Sequence, residues 1–430
     1  MMDYRTCSMA GFGLLLLAQL ATAAPPAPSL PDAIRLITKD NRPMPAVQLL
    51  RQGVDAKTFP GAAAAQFYAV SGDTQGTYRM IDASARVPDV SKSQPDFTGA
   101  VLRPALETVV PAAKDRRVVM LNEDHVHQLH RGFALQLLKD LRAQGFTHFG
   151  AETFGRKARE SLIDDAPDVS TGVYTSDPLY ADLARQAKAL GFQVFDYEQR
   201  KDQEPAEGSQ EDQRMARERA QAANIASVLN DDPKARAFVY AGAGHISESP
   251  EGDGRIWMAQ ILREVYGIDP LTINQVYGTP RSRPELDGAE YRATEALGPF
   301  TAPVVVATPT GLFSAPGFDI LVFHPRERQK HGRPDWLELS GYRHPCRISL
   351  KPSNEETMVR AFVASEDPMS IPMDQVLVPV HARSVVMMLP PGEYRMVRQT
   401  VVDDRLLGLG RVRKAVAPKA ALGLCRPAVR

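Results

Sequence analysis

Acids and histidines able to exchange protons or hold a metal recur at four places in this chain. LNEDHVHQLHRGF, residues 121–133, carries Glu123, Asp124, His125, His127 and His130. Glu152 stands in GAET, Asp196 and Glu198 in FDYE, and His245 closes GAGH. A carboxylate beside an imidazole fixes its tautomer and supports its charged form, which general acid–base catalysis exploits. The same donors also suit a divalent metal. The sequence has neither a G-x-S-x-G elbow nor an H-E-x-x-H helix, which argues against a serine nucleophile of the α/β-hydrolase type and against a standard zincin.

Such residues act together only if the fold gathers them. Apolar runs of strand length occur at RVVML (117–121), THFGAETF (147–154), FQVFDYE (192–198), FVYAGAG (238–244), LTINQVY (271–277) and FDILVFH (318–324). Helical stretches separate the first four. One carries the stripe Phe133, Leu137, Leu138 and Leu141 and is stopped by Gly145. Another runs over 177–191, with Pro178 in its first turn and Gly191 as its stop. A long charged helix covers 211–230, and IWMAQILREVYG forms the next. This alternation predicts an α/β fold: an open, mostly parallel sheet with helices on both faces. A closed barrel would need eight such units. Open sheets bind ligands beyond the carboxyl ends of their strands. Asn122–His125, Glu152, Asp196–Glu198 and His245 each follow a predicted strand, so they share one edge. Glu198 is preferred over Asp196.

The flanks read differently. Arg5 precedes the apolar run Gly11–Ala23, which ends in Ala21-Thr22-Ala23, a small-x-small cleavage pattern. Residues 1–23 are therefore expected to be an export signal, giving a periplasmic or secreted chain with no transmembrane span; an uncleaved anchor is the alternative. Cys7 precedes the apolar run, so it does not suit lipid attachment. Cys346 and Cys425 would then form one disulfide or stay as two thiols. Residues 24–100 hold a proline-rich spacer and a small helical region, with GAAAAQFYAVSGDTQGTYRMID as two short helices around a Gly-Asp break. The α/β domain spans 101–325 and opens with LRPALETVVPAAK as a helix. Short β-like runs over 326–430 predict a β-sandwich-like domain, with LPPGEYR as a hairpin turn. Lys+Arg and Asp+Glu are equal at 51 each, which gives no basis for nucleic-acid binding.

Taken in order, the motifs resemble those of the superfamily containing erythromycin esterases, ChaN-type haem-binding proteins and the TraB/Tiki proteins. NEDH (122–125) resembles the opening GExH motif, with Asn122 in place of the first glycine and Asp124 as an extra acid. GAGH (242–245) resembles the second GxxH motif, and Glu152 the acid after the second strand. RERAQAANI (217–225) resembles a helical element that singles out Arg217 and Asn224. The resemblance covers 110–325. It implies a hydrolase in which His125 or His245 is the general base and activates water against an ester or amide of a small-molecule or peptide ligand. Glu123 and Glu152 would orient the imidazoles, and Arg217 would stabilise an oxyanion. The Tiki likeness implies a divalent metal on Glu123, His125 and His245. The ChaN likeness implies haem, with His130 as a ligand. A degenerate, non-catalytic interaction protein is the third reading. His127 reads as a solvated bystander, Tyr240 as core, and Trp336 as a domain-junction residue.

Overall fold

The computed structural model describes residues 27–83, 85–90, 94–155, 166–250, 254–412, 423–424 and 426–427. The expected export signal, with Cys7, and the second disulfide candidate Cys425 lie outside the described residues. Four helices open the described chain: Leu30–Thr38 (α1), Pro43–Asp55 (α2), Gly61–Tyr68 (α3) and Thr74–Asp82 (α4). The Gly-Asp break acts as read. Gly72 takes a left-handed φ of 72°, and Asp73 caps α4 by accepting from Gly76 N at 2.8 Å.

Six strands form the central parallel sheet: Val118–Glu123 (β1), His148–Ala151 (β2), Gln193–Phe195 (β3), Ala237–Gly242 (β4), Leu271–Asn274 (β5) and Ile320–Leu321 (β6). Their order is β3-β2-β4-β1-β5-β6. Side chains alternate between faces, as the pleat requires. Val119, Leu121, Phe238 and Tyr240 pack under Ala105–Ala112 (α5), Gln128–Ala143 (α6) and Pro178–Ala189 (α7). Val118, Met120, Ala237 and Val239 pack under Gln210–Asp231 (α8) and Met258–Tyr266 (α9). Every residue of β1 and β4 is buried, which explains their nearly unbroken apolar runs. The helix after β1 and the helix after β4 lie on opposite faces. These two neighbouring strands therefore end in the crevice where open sheets bind ligands.

The stretch read as a leading helix divides in two. Val101–Pro104 is a strand, paired antiparallel with Val304–Thr308, and α5 begins only at Ala105. Proline disfavours helical geometry in the residue before it, so Pro104 marks the boundary. Among the described residues, the C-terminal region has two facing sheets, one of three strands and one of five, and a two-stranded ribbon at 329–334. Cys346, Met387 and Leu389 from one sheet meet Val359, Ala361, Tyr394 and Met396 from the other. LPPGEYR is not a hairpin turn within one sheet. Ser384–Leu389 pairs with His344–Ser349, whereas Gly392–Gln399 pairs with Thr357–Val363, so the prolines carry the chain from one sheet to the other. Cys346 is disulfide-bonded. Among the described residues, no helix is long and apolar enough to cross a membrane.

Helices α1 and α2 bury Ile37, Met44 and Leu50 against Met358 of the five-stranded sheet. Arg360 donates to Asn41 O at 2.9 Å, and Gln399 Oε1 accepts from Met44 N at 2.9 Å. Trp336 packs beside Gly132 of α6.

Asn122 lies in extended strand and ties three segments together. Its Nδ2 donates to Ala243 O at 3.0 Å, and its Oδ1 accepts from Gln275 N at 2.9 Å. Truncation would leave both backbone groups without these partners. N122A is expected to cost about 1–3 kcal/mol, seen as a lower urea midpoint at unchanged slope. An unchanged midpoint would refute this tie.

Candidate active site

Glu123 ends β1 at 1% exposure, where an ionised carboxylate needs partners. Arg131, in the first turns of α6, reaches back to it. Its Nε donates to Glu123 Oε2 at 2.9 Å and its Nη2 to Oε1 at 3.2 Å. Tyr240 of β4 adds a hydroxyl bond to Oε2 at 2.9 Å. Burial opposes the charge, but Arg131 and His125 outweigh it and hold the carboxyl at about 2. Asp177, the N-cap of α7, gives Arg131 a second carboxylate at 3.3 Å.

His125 places Nδ1 2.7 Å from Glu123 Oε1, and its ring stacks on Tyr174 at 3.9 Å between centroids. The ionised Glu123 can only accept, so Nδ1 carries the proton in this bond and a neutral ring keeps its lone pair on Nε2. Nε2 has no hydrogen-bond partner among the described residues, and 23% of the side chain is exposed.

A second chain of charges comes from β2, β3, β4 and α8. Glu152 directly follows β2. Its Oε2 accepts from Gly242 N at 2.5 Å and its Oε1 from Arg217 Nη2 at 2.8 Å. Arg217, on α8, also donates through Nε to Glu198 Oε1 at 2.9 Å, and Gln221, one turn on, supports the same carboxylate. His245 lies between carboxylates: Nδ1 is 2.8 Å from Glu218 Oε1, and Nε2 is 3.5 Å from Glu152 Oε1. Burial opposes charging of His245, but Glu152 and Glu218 raise it to about 9. Burial likewise opposes the charge on Arg217, and Glu198 and Glu152 more than offset it. Glu152 and Glu218 thus favour the charged form of His245, whose Nε2 lies 3.2 Å from Arg217 Nη1 over Glu152.

The two chains meet at Gly242, which sits opposite Glu123 in the β1–β4 register. A side-chain carbon there would lie 2.8 Å from Glu152 Oε2 and 3.3 Å from His125 Nε2. Only glycine leaves the space between them open.

Of the residues singled out from sequence, Glu123, His125, Glu152, His245, Arg217 and Glu198 converge on this crevice. Asn224 does not. It donates to Tyr197 O at 3.1 Å and Glu198 O at 3.0 Å, pinning the loop that carries Glu198. His130 is fully buried: Nδ1 accepts from Asp124 N at 3.0 Å, and Nε2 is 2.7 Å from Thr279 Oγ1. With both nitrogens bonded it offers no ligand atom to haem. His127 is buried too, 4.9 Å from Tyr78 between ring centroids, and not the solvated side chain expected.

The donor set does not fit a divalent metal either. Glu123 is occupied by Arg131, Tyr240 and His125, both nitrogens of His245 face carboxylates, and Arg131 and Arg217 would repel a cation. Among the described residues, no group of three or more His, Cys, Asp or Glu is placed to hold an ion.

Sequence reasoning missed Arg131, Glu218, Tyr174, Asp177 and the hydroxyl of Tyr240. Glu218 left a signal, lying beside Arg217 with Met258 N to cap at 2.9 Å once α8 is folded.

No family model and no curated protein matches the chain. Solved structures match at low similarity. The type III effector HopBA1 is 19% identical over 35% of this chain and 79% of its own, with a TM-score of 0.28. RRSP, a MARTX toxin effector domain from Vibrio vulnificus CMCP6, is 15% identical over 68% of this chain and 59% of its own, at 0.27. The C-terminal region of Pasteurella multocida toxin, described as having a thiol-protease-like catalytic triad, is 9% identical over 81% and 54%, at 0.30.

His245 also links the site to stability. Its pKa is raised from an ordinary 6.5 to about 9. The stabilisation is complete below pH 6.5 and is lost as pH rises through 9, with a ceiling of about 3 kcal/mol. The melting temperature should therefore fall between pH 6.5 and 9 in the native protein and stay flatter in H245Q. Parallel curves would exclude a charged His245.

Proposed function

We propose that this protein is a hydrolytic acid–base enzyme that activates water against an ester or amide of a small-molecule or peptide substrate. One observation carries the reading: among the described residues His125 Nε2 has no hydrogen-bond partner, and it is backed by the ionised Glu123 and separated from Glu152 and its cations Arg217 and His245 by the space over Gly242. His125 takes a proton from water as the water attacks the carbonyl carbon. Glu123 stabilises the imidazolium that forms. It does not take the proton itself, because Arg131 keeps it ionised. Arg217 and the protonated His245 stabilise the oxyanion. His125 then returns its proton to the leaving alcohol or amine. Glu198, Glu152 and Glu218 place the two cations and keep them charged.

The order NEDH, Glu152, GAGH, resembling the erythromycin esterase, ChaN and TraB/Tiki superfamily, supports this reading. The small-x-small pattern at Ala21-Thr22-Ala23 and the disulfide at Cys346 support export, because disulfides persist in oxidising compartments.

H125A and H245A should each lower turnover of chromogenic esters or peptide anilides, on the order of 10²–10⁴-fold. Turnover retained in both variants would sink the assignment. G242A should lose activity comparably, because its methyl group fills the space beside Nε2. Full activity in G242A would move the reaction elsewhere.

A further inference from the structure

The C-terminal sandwich is open at one end. A cavity of about 910 Å³ lies between strands 344–349, 392–399 and 404–412, within the size range of small-molecule sites. Its floor is apolar. Ile348, Met396 and Leu407 line it as a continuation of the sandwich core. Gly408 lines it at a φ of 138°, and a side-chain carbon there would meet nothing within 4 Å. An unfilled core end costs stability unless something occupies it.

The mouth is basic. Arg347, Lys351, Arg398 and Arg405 line it, against Glu355 and Asp403. Among the described residues, none of these four cations is paired with a carboxylate. Arg347 donates to Ser384 Oγ at 3.0 Å and Arg398 Nη1 to Lys351 O at 2.7 Å. Arg398 Nε is buried with no hydrogen-bond partner. A buried donor of this kind is costly unless a ligand satisfies it. Beside the cations, Leu406 is 62% exposed and lines the mouth, and Val402 is 82% exposed on the adjoining turn.

We propose that this cavity binds an anionic amphiphile, with a carboxylate or phosphate head on Arg398 and Arg405 and an apolar chain along Ile348, Met396 and Leu407. A bare anion would leave the floor empty, and an uncharged chain would leave Arg398 Nε unsatisfied. Glu355 and Asp403 at the same mouth disfavour a polymer of repeated negative charge. The site shares no residue with the crevice of Glu123 and His245, so it stands whether or not the catalytic reading does.

Calorimetric titration of the full chain tests this with decanoate and decyl phosphate as amphiphiles, and with acetate, inorganic phosphate and 1-decanol as the separate halves. The expected result is micromolar binding of at least one amphiphile, weakening severalfold as the chain is shortened from decyl to hexyl. R405Q, a substitution at an exposed residue, and R398Q should each weaken it at least tenfold. Preference for decanoate would assign a fatty-acid-like head, and preference for decyl phosphate a phospholipid-like one. No binding of either amphiphile, inorganic phosphate bound as tightly as decyl phosphate, or unchanged affinity in R405Q would overturn the proposal.

Discussion

An ionised carboxylate at the dry end of a central strand must be matched by a cation, and the Glu123–Arg131 pair meets that demand. Both side chains are within 2% of full burial. Pairs of this kind seldom stabilise a fold more than apolar residues of equal volume would. Their worth is positional. Arg131 must reach back from α6 to β1, so the intervening turn is drawn inward. His127 and His130 are buried behind it, while His125 stays at the mouth with Nδ1 on Glu123 and, among the described residues, no partner on Nε2.

Beyond that pair, the site is two strings of charge with different ends. One runs from Asp177 through Arg131 and Glu123 to His125, and ends in a lone pair. The other runs from Glu198 through Arg217 and Glu152 to His245 and Glu218, and presents two cations. The register of β1 against β4 sets Glu123 across from Gly242 and keeps the strings close without contact. A shift of one residue in that register would turn the alternating side chains to the wrong faces.

Much of this was legible in the sequence. Buried parallel strands announce themselves as unbroken apolar runs, and the acids and histidines directly after them had to share an edge. Glu123, His125, Glu152, Glu198 and His245 follow from that placement, and Arg217 from the resemblance carried by RERAQAANI. Other residues were hidden because the chain alone does not say what a helix side chain meets, even where the partner is near in sequence, as Glu123 is to Arg131. Arg131 and Glu218 look like ordinary charged helix residues until tertiary packing buries them. His130 looked like a ligand because spacing does not say which way a first-turn side chain turns, and here a backbone amide claims it. Pro104 was visible, but an apolar amphipathic pattern outweighed it; the strand it ends is held by Val304–Thr308, about 200 residues away. The sandwich cavity left no signal, since glycines in short strands read as turns.

The docking of α1 and α2 also sets an order of events in time. Asn41 and Arg360, which bond across that contact, are 319 residues apart in sequence. During synthesis, the apolar faces of the first helices emerge long before the strand that covers them exists. A segment made early is thus among the last to reach its resting place, and until then it lacks the strand that completes its core.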